Sequence, residues 1–532
     1  MSAEKTSIPM SGIAGLKENW KTDILSGFLV SLIALPLSLG IAKASGFPPI
    51  MGLWTAIVGG IVASFFGSAP LTIKGPAAGL IVICVGAVEA FGGGEIGWHL
   101  ALACIALAGL FQILFGYLKL GTLSDFFPAS VVHGMLSAIG IIIFAKQIPL
   151  ALGIAPALLK GKTTFELILS IPNYVLNLDK HIAFIGLISV VIMFGLPLLK
   201  IKVVKKIPPA IIVLISSVIL GILLNLATLE NSSATMPLLK VDNLFGTLGW
   251  NIDFSGIASV HFLKYFIMFL LIGSIESLLT AKAVNGLDVF RRKTNYNSDL
   301  IATGVGNVFS ACFGGLPMIS EIARSSANIN NKARTYWANF FHGLFLLVFV
   351  LLALSLINLI PNAALAAILI SVGYRLGSPK EFIYVWNTGK EQFIIFVFTI
   401  FVTLATDILM GVSAGILLKF IIHAIEGVPL GSFFKINFKL ENNKDETYFI
   451  EVSDVLIFSN YLKFKKILES IPSGKKITID FYNTKMVDHT VMENLHILTI
   501  GYERDGGVFE IKGLEDHKSL SHYKYATRIK FK

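Results

Sequence analysis

A polytopic α-helical membrane protein of fourteen segments, seven plus seven, followed by a small α/β domain, is the fold class predicted by three features of the sequence. The 532 residues are 55% hydrophobic and only 14% charged, with a mean hydropathy of +0.76. Soluble domains carry about 25% charged residues. Two backbone breaks, Ile73-Lys74-Gly75-Pro76-Ala77-Ala78-Gly79 and Gly314-Gly315-Leu316-Pro317-Met318-Ile319-Ser320-Glu321, lie in opposite halves of the apolar region. From about Gly431 the composition turns charged, and short apolar runs replace long ones.

Taken in order, the apolar runs predict spans near 24–41, 50–66, 77–90, 98–118, 128–148, 182–199 and 207–228. After a polar stretch near 229–261 come 262–280, 299–313, 319–330, 334–358, 361–376, 391–406 and 409–427. The segments 77–90 and 319–330 are too short to cross a bilayer, which takes roughly 20 helical residues. The connection from about Ala151 to Lys180 is long enough for a short surface helix. With the N-terminus inside, the loops holding Lys200, Lys202, Lys205 and Lys206, then Arg291, Arg292 and Lys293, then Lys332 and Arg334, and Arg375, Lys380 and Lys390 face the cytoplasm. That bias follows the positive-inside rule. Lys160, Lys162 and Lys180 fall on the outer side. The tail alternates strand-like runs (Tyr448–Val452, Ile477–Phe481, Val508–Ile511) with helical spacing over 460–471 and 490–503, as a small α/β domain requires. The expected divisions are an N-terminal cytoplasmic segment 1–22, a transport domain 23–430 with repeats about 23–228 and 260–430, and a cytoplasmic domain 437–532.

Composition also excludes function classes. The formal net charge is +10, but its basic residues cluster between apolar runs, so topology rather than nucleic acid accounts for them. Cys84, Cys104 and Cys312 all lie in apolar segments without paired or metal-ligand spacing. No phosphate-binding loop suggests an ATP-driven pump, and no hydrolytic triad or metal cluster suggests an enzyme. Residues 1–22 lack the short apolar core and small-residue cleavage site of a signal peptide.

Irregular backbone at membrane depth persists only where protein or a water-filled cavity covers it. Paired breaks in corresponding positions of two halves point to a transporter's substrate site. Half-helix N-termini present unpaired N–H groups and positive dipole ends, which suit an anion. The expected site is therefore an anion site near the bilayer midplane.

Several stretches resemble the SulP family of inorganic anion permeases. Ser31-Leu32-Ile33-Ala34-Leu35-Pro36-Leu37-Ser38-Leu39-Gly40 with Ala44-Ser45-Gly46-Phe47-Pro48-Pro49 is similar to its first helix and following loop. Gly75-Pro76-Ala77-Ala78 resembles the start of its third helix, and Glu276-Ser277-Leu278-Leu279 its eighth. Gly304–Asn307, Gly314-Gly315-Leu316-Pro317 and Ile322-Ala323-Arg324-Ser325-Ser326-Ala327-Asn328-Ile329 resemble the ninth and tenth. The tail is similar to a STAS domain, with Phe458-Ser459-Asn460 and the loop Val487-Asp488-His489-Thr490. The resemblance implies a seven-plus-seven inverted repeat divided into core and gate. It implies an anion held between half-helices three and ten, and a homodimer assisted by the cytoplasmic STAS domain, which could also bind a cytoplasmic protein. The implied location is a bacterial-type inner (plasma) membrane, multi-pass, with both termini cytoplasmic. The chain departs from the family pattern at Lys74, Ala77 and Ile319-Ser320-Glu321, where many relatives carry Ser, Thr and Thr-Gly-Ala, and at Leu37, where some animal relatives carry Gln.

The candidate substrate-binding residues are Gly75, Pro76, Ala77, Ala78, Ser320 and Arg324. Arg324, one turn after Glu321, either supplies positive charge to an oxyanion or forms a salt bridge with Glu321; the expectation is a mixed role, the pair holding the half-helix while the arginine biases the cavity positive. Ser320 is the expected hydroxyl contact; Ser325 and Ser326 are expected to bond back to helix carbonyls. Glu276, mid-span, and Glu321, at the half-helix start, are the candidate coupling acids for H⁺ or Na⁺, since two carboxylates facing one site resist joint ionisation; structural bonding and capping are the competing roles. No other cofactor or metal is expected. Lys74 is expected to snorkel to an interface, with attraction for anions as the competing role. His133 and Gln147 are expected to be packing polar groups, and Asp407 a cap. Thr490 is either a regulatory phosphorylation site or the N-cap of a helix, with Glu493 completing a capping box.

Secondary active transport of sulfate or bicarbonate, with membrane lipid and the anion as partners, is the leading expectation. A proton-coupled nucleobase transporter of the same fold and an uncoupled anion channel are the alternatives.

Overall fold

The structure is a computed structural model and describes residues 8–67, 69–199, 207–226, 237–241, 244–290, 292, 294–442, 447–504 and 506–530. Lys200, Lys202, Lys205, Lys206, Arg291 and Lys293, and residues 229–236, 242 and 243 of the polar stretch near 229–261, lie outside the described residues.

Fourteen helices match the predicted segments. They are α1 (Gly12–Ala44), α2 (Pro49–Ile61), α3 (Ile81–Ala90), α4 (Gly94–Tyr117), α5 (Ala129–Ala151), α6 (Lys180–Gly195) and α7 (Pro209–Leu223). Then follow α8 (Val260–Leu287), α9 (Tyr296–Cys312), α10 (Ile322–Asn330), α11 (Trp337–Leu352), α12 (Asn362–Leu376), α13 (Lys390–Ala405) and α14 (Ile408–Ile425). Two of the fourteen, α3 and α10, have only 10 and 9 residues, as the breaks before them require. Each break is extended: β1 (Lys74–Pro76) precedes α3, and β2 (Met318–Ser320) precedes α10. The connection 152–179 holds two short helices, Thr164–Leu169 and Ile171–Leu176, the first closed by a Thr163–Glu166 capping box. Asp407 caps α14 by accepting from the Met410 amide at 3.0 Å.

The chain divides into two compact units, residues 1–121 with 139–376, and 122–138 with 377–532. In the first, α4 packs on α9 and on α8, and α1 packs on α2 and α11. Gly109, Gly116 and Gly304 face neighbouring backbone across the α4–α9 contact, the small-residue packing that lets membrane helices approach closely.

The second unit holds α13, α14, the short helix Pro379–Thr388, the start of α5 and the whole tail. The tail forms a seven-stranded sheet with order β7-β5-β4-β6-β9-β8 and β3 paired to β4. Its strands are β3 (Asn437–Asn442), β4 (Thr447–Leu456), β5 (Lys476–Asp480), β6 (Thr484–Val487), β7 (Val508–Lys512), β8 (His517–Ser519) and β9 (Arg528–Lys530). Parallel β4, β5, β6 and β7 pair around two helices, α15 (Phe458–Ser470) and α16 (His489–Arg504), over a core containing Ile450, Phe464, Ile479, Phe481 and Leu495. The strands the sequence did not predict are the antiparallel β3, β8 and β9 and the four-residue β6, all lacking a continuous apolar run.

Thr490 does not cap α16. Asp488 does: its Oδ1 accepts from the Val491 amide at 2.8 Å, and its Oδ2 accepts from the Phe458 amide at 3.0 Å, so one carboxylate organises both helices of the tail. Thr490 is 4% exposed, and its hydroxyl accepts from the Ala129 amide at 3.3 Å. Glu493 accepts from the Tyr384 hydroxyl at 2.9 Å instead of closing a capping box. The wholly buried Lys419 and His423 of α14 lie 4.0 Å and 3.4 Å from Asp488 Oδ2. Burial alone would raise the Asp488 carboxyl; the bond with His423 and the Lys419 charge more than offset that and hold it below its ordinary range. His133 is more than a packing polar group: its Nδ1 lies 3.1 Å from Glu381 Oε2. Gln147 is buried and lines a small cavity with Lys43, Leu150 and Leu369.

Candidate functional site

The two breaks meet. β1 and β2 pair antiparallel with Lys74 opposite Ser320, Gly75 opposite Ile319 and Pro76 opposite Met318. The Glu321 amide extends the ladder by donating to the Ile73 carbonyl at 2.8 Å. Away from the ladder, broken backbone at this depth needs other partners, and polar side chains in otherwise apolar helices supply them. The Ile73 amide donates to Ser325 Oγ (2.9 Å) and the Lys74 amide to Asn339 Oδ1 (3.2 Å). The Leu316, Met318 and Ser320 amides donate to Thr55, Asn307 and Ser277 at 2.7, 2.6 and 3.1 Å. Ser325 therefore serves the opposite half of the chain and does not bond back into its own helix.

From this crossed pair the half-helices α3 and α10 depart. α3 starts through the tight turn Ala78–Leu80, and α10 starts at Glu321. First-turn amides of a helix have no intrahelical acceptor. The Ala78 amide donates to Glu321 Oε1 at 3.3 Å. A carboxylate from one half of the chain thus occupies the first donor of the other half's break.

Glu276 of α8 is the second carboxylate at this point. It is 8% exposed, its Oε1 lies against Gly79, and its Oε2 has no hydrogen-bond partner among the described residues. A Cβ at position 79 would overlap that carboxylate. Glycine is what admits Glu276 to the start of α3. Gly75 plays the same part for Arg324, whose Nη1 occupies the space a Cβ there would fill. Arg324 is wholly buried, yet Nε, Nη1 and Nη2 all lack hydrogen-bond partners among the described residues. The Arg324–Glu321 salt bridge considered from the sequence is not formed: Glu321 bonds to Ala78, and the guanidinium is left with five unused donors.

Two further expectations are corrected. Lys74 does not snorkel. It is 2% exposed, and its ammonium donates to Asp299 Oδ1 (2.9 Å), Ser320 Oγ (2.9 Å) and Thr303 Oγ1 (3.1 Å). Ser320 consequently has its hydroxyl engaged by Lys74, Asp299 Oδ2 (3.3 Å) and Ser277 (3.4 Å), rather than open to a substrate. Asp299 and Thr303 on α9 are the site residues that sequence reasoning missed. The available signal was an unmatched buried lysine beside the first break together with an acid at the start of an apolar span. Of the predicted substrate-binding residues, the structure brings Gly75, Ala78 and Arg324 to one point with Glu276 and Glu321. Pro76 and Ala77 supply the extended backbone between them.

Two interrupted segments crossing inside a bundle of membrane helices, with buried charge gathered at the crossing, define a helical membrane transporter. The chain belongs to the sulfate permease family, whose model matches residues 20–399. Among curated relatives it is 27% identical to the putative sulfate transporter YvdB of Bacillus subtilis, over 76% of this chain and 73% of that one. It is 28% identical to the bicarbonate transporter BicA of Picosynechococcus, over 75% of this chain and 69% of that one. Among solved structures it is similar to the transmembrane domain of a cyanobacterial bicarbonate transporter BicA, with a TM-score of 0.63 and 26% identity, covering 75% of this chain and 97% of that one. The overall structure of SLC26A9 matches with a TM-score of 0.66 over 94% of this chain and 85% of that one; at 14% identity this likeness is one of fold, and it runs through the C-terminal sheet, which fits a STAS domain. Named relatives are transporters, not enzymes.

Proposed function

We propose that the protein is a secondary active transporter of an inorganic oxyanion, sulfate or bicarbonate, which binds between the starts of α3 and α10 and moves with H⁺ by alternating access. Arg324 carries this conclusion. A buried guanidinium with no hydrogen-bond partner on any nitrogen among the described residues is costly to keep in a membrane domain. A planar or tetrahedral oxyanion offers the bidentate acceptors it lacks. The neutral nucleobase alternative gives Arg324 no counter-charge.

Coupling follows from Glu321. An ionised Glu321 holds the Ala78 amide, which is the donor an incoming anion needs. Protonating Glu321 removes the competing charge and releases that donor, so proton uptake and anion binding favour one another. Glu276, across Gly79 with an oxygen that has no partner among the described residues, is the second proton acceptor. Fixed carboxylates at the anion site weigh against an open anion channel. We further infer a homodimer in an inner (plasma) membrane with both termini cytoplasmic, which the family resemblance and the Lys/Arg-rich loops support.

Uptake into proteoliposomes tests this. Labelled sulfate is followed under an imposed pH gradient, an imposed Na⁺ gradient, or neither. Labelled bicarbonate is followed at fixed pH, because CO₂ crosses bilayers freely. Gradient-driven accumulation of either anion supports the proposal, and H⁺ as the driver supports the Glu321 mechanism. Accumulation driven only by Na⁺ would reject that mechanism. Competition by uracil without competition by either anion would reject the substrate class.

A further inference from the structure

We propose that the Lys74 ammonium is a built-in substitute for a bound monovalent cation, and that the oxygens around it form a latent alkali-cation site. The inference rests on this cluster alone and not on the transported anion or its coupling ion.

Lys74 Nζ sits among oxygens from two separate elements: Asp299 Oδ1 and Thr303 Oγ1 of α9, and Ser320 Oγ of β2, at 2.9, 3.1 and 2.9 Å. Ser277 Oγ of α8 closes the group, 3.2 Å from Thr303 Oγ1 and 3.4 Å from Ser320 Oγ. The second Asp299 oxygen is also inside, 3.3 Å from Ser320 Oγ. One carboxylate and three hydroxyls are hard oxygen ligands of the kind that hold hard cations. All four residues are at most 1% exposed.

An ordinary buried salt bridge uses a carboxylate and whatever donors complete its geometry. Here three oxygens, one of a carboxylate and two of hydroxyls, accept from one ammonium and are arranged around a single positive centre. An ionised Asp299 buried in a membrane domain demands a counter-charge. Lys74 supplies one that cannot dissociate, and it arrives from the backbone of β1, the strand that leads into α3. The consequence is a cluster that stays neutralised whatever the Na⁺ concentration, and a β1 strand tied to α9 and β2 without a dissociable ion. Shortening Lys74 leaves the oxygens, the carboxylate and a space the size of the departed ammonium, and a free Na⁺ or K⁺ is the natural occupant.

The test uses purified full-length wild type, Lys74→Ala, Lys74→Ala/Asp299→Asn and Lys74→Met/Asp299→Asn. Thermal unfolding is followed in NaCl, KCl and choline chloride at one chloride concentration and ionic strength, so that anion effects cancel. Lys74→Ala should gain a stabilisation specific to Na⁺ or K⁺, rising with the logarithm of cation concentration as linkage requires. Wild type sets the baseline for any cation bound elsewhere, and neither double variant should exceed it. Recovery of folded Lys74→Ala only when Na⁺ or K⁺ is present also supports the site. Three results overturn the proposal: Lys74→Ala responding no more than wild type, which would mean that Asp299 simply takes a proton; an equal response after Asn replaces Asp299; or Lys74→Ala unrecoverable in any salt while Lys74→Met/Asp299→Asn folds, which would make the pair structural only. Transport is not part of the readout, so failure here leaves the proposed function untouched, and the reverse holds too.

Discussion

Replacing Glu321 by Gln is the sharpest perturbation of the coupling mechanism, because it changes charge without changing shape. In the structure Glu321 Oε1 accepts from the Ala78 amide at 3.3 Å. Hydrogen bonds to charged groups are worth about 1.5–3 kcal/mol, against about 1 kcal/mol for neutral ones. At 3.3 Å the lower end applies, and Gln keeps a carbonyl that can still accept. Loss of the bond's charge accounts for about 0.5 kcal/mol, and relief of repulsion between a carboxylate and the arriving oxyanion for about 1 kcal/mol, the interaction of unit charges about 4 Å apart in a hydrated site; together they give roughly a tenfold change in affinity. The sign depends on pH. In wild type an ionised Glu321 competes with the anion at alkaline pH and ceases to compete once protonated, so anion affinity should fall as pH rises, by at most about tenfold per pH unit for one linked proton. In Glu321→Gln the fall should flatten, with alkaline affinity roughly tenfold above wild type and acid affinity nearly unchanged. Isothermal titration of sulfate into detergent-purified protein at several pH values measures this directly, with Glu276→Gln as a companion. An unaltered pH slope in Glu321→Gln, or weaker binding at alkaline pH, would refute the competition between Glu321 and substrate.

Arg324→Ala should insert and fold yet bind sulfate at least about tenfold more weakly, since a desolvated charge–anion contact is worth 2 kcal/mol or more; titration and a size-exclusion profile separate the two effects. Gly79→Ala should impair uptake while leaving Arg324 in place, because the new Cβ overlaps the Glu276 carboxylate, and trimming that residue in Gly79→Ala/Glu276→Ala should relieve the clash in a thermal-melt assay. Asp488 has a folded-state value below its unfolded one, so the stability it contributes is present above about pH 4 and is lost as pH falls through the folded value. Asp488→Asn should remove that acid sensitivity and cost about 3 kcal/mol by stranding the buried Lys419, which pH-dependent melts would reveal.

The long apolar runs and the two breaks were legible because each rests on a local rule: bilayer thickness sets span length, and Gly-Pro near an apolar run interrupts a helix. The parallel strands β4, β5 and β7 were legible for a similar reason, since short runs in which apolar residues alternate with polar ones mark a strand locally. The partners of the charged residues were not legible. Lys74 and Asp299 are separated by 225 positions, and no periodicity relates them; only the antiparallel crossing of β1 and β2 carries one to the other. Ser325 was misread because a serine inside a short helix usually bonds to its own backbone, whereas here the nearest unsatisfied group is the Ile73 amide of the opposite half. The N-cap reading of Thr490 failed because Asp488, two residues earlier, has a carboxylate that reaches both helix starts.

The two cations that flank the crossing explain why only one of them can belong to a substrate. Lys74 and Arg324 both lie within a few residues of a break, and both are buried. Lys74 has three oxygen acceptors, one of them the Asp299 carboxylate. Its charge is consumed within the fold, and it can attract nothing further without giving up a bond. Arg324 has no hydrogen-bond partner on any nitrogen among the described residues, and the acid that could neutralise it points instead at the Ala78 amide. A fold that meant only to stabilise its crossing would join Glu321 to Arg324, one turn away on the same helix, and leave the start of α3 to water. Keeping them apart leaves an unspent positive charge and an occupied donor at one point, a state that an oxyanion and a proton relieve together and that neither relieves as well alone.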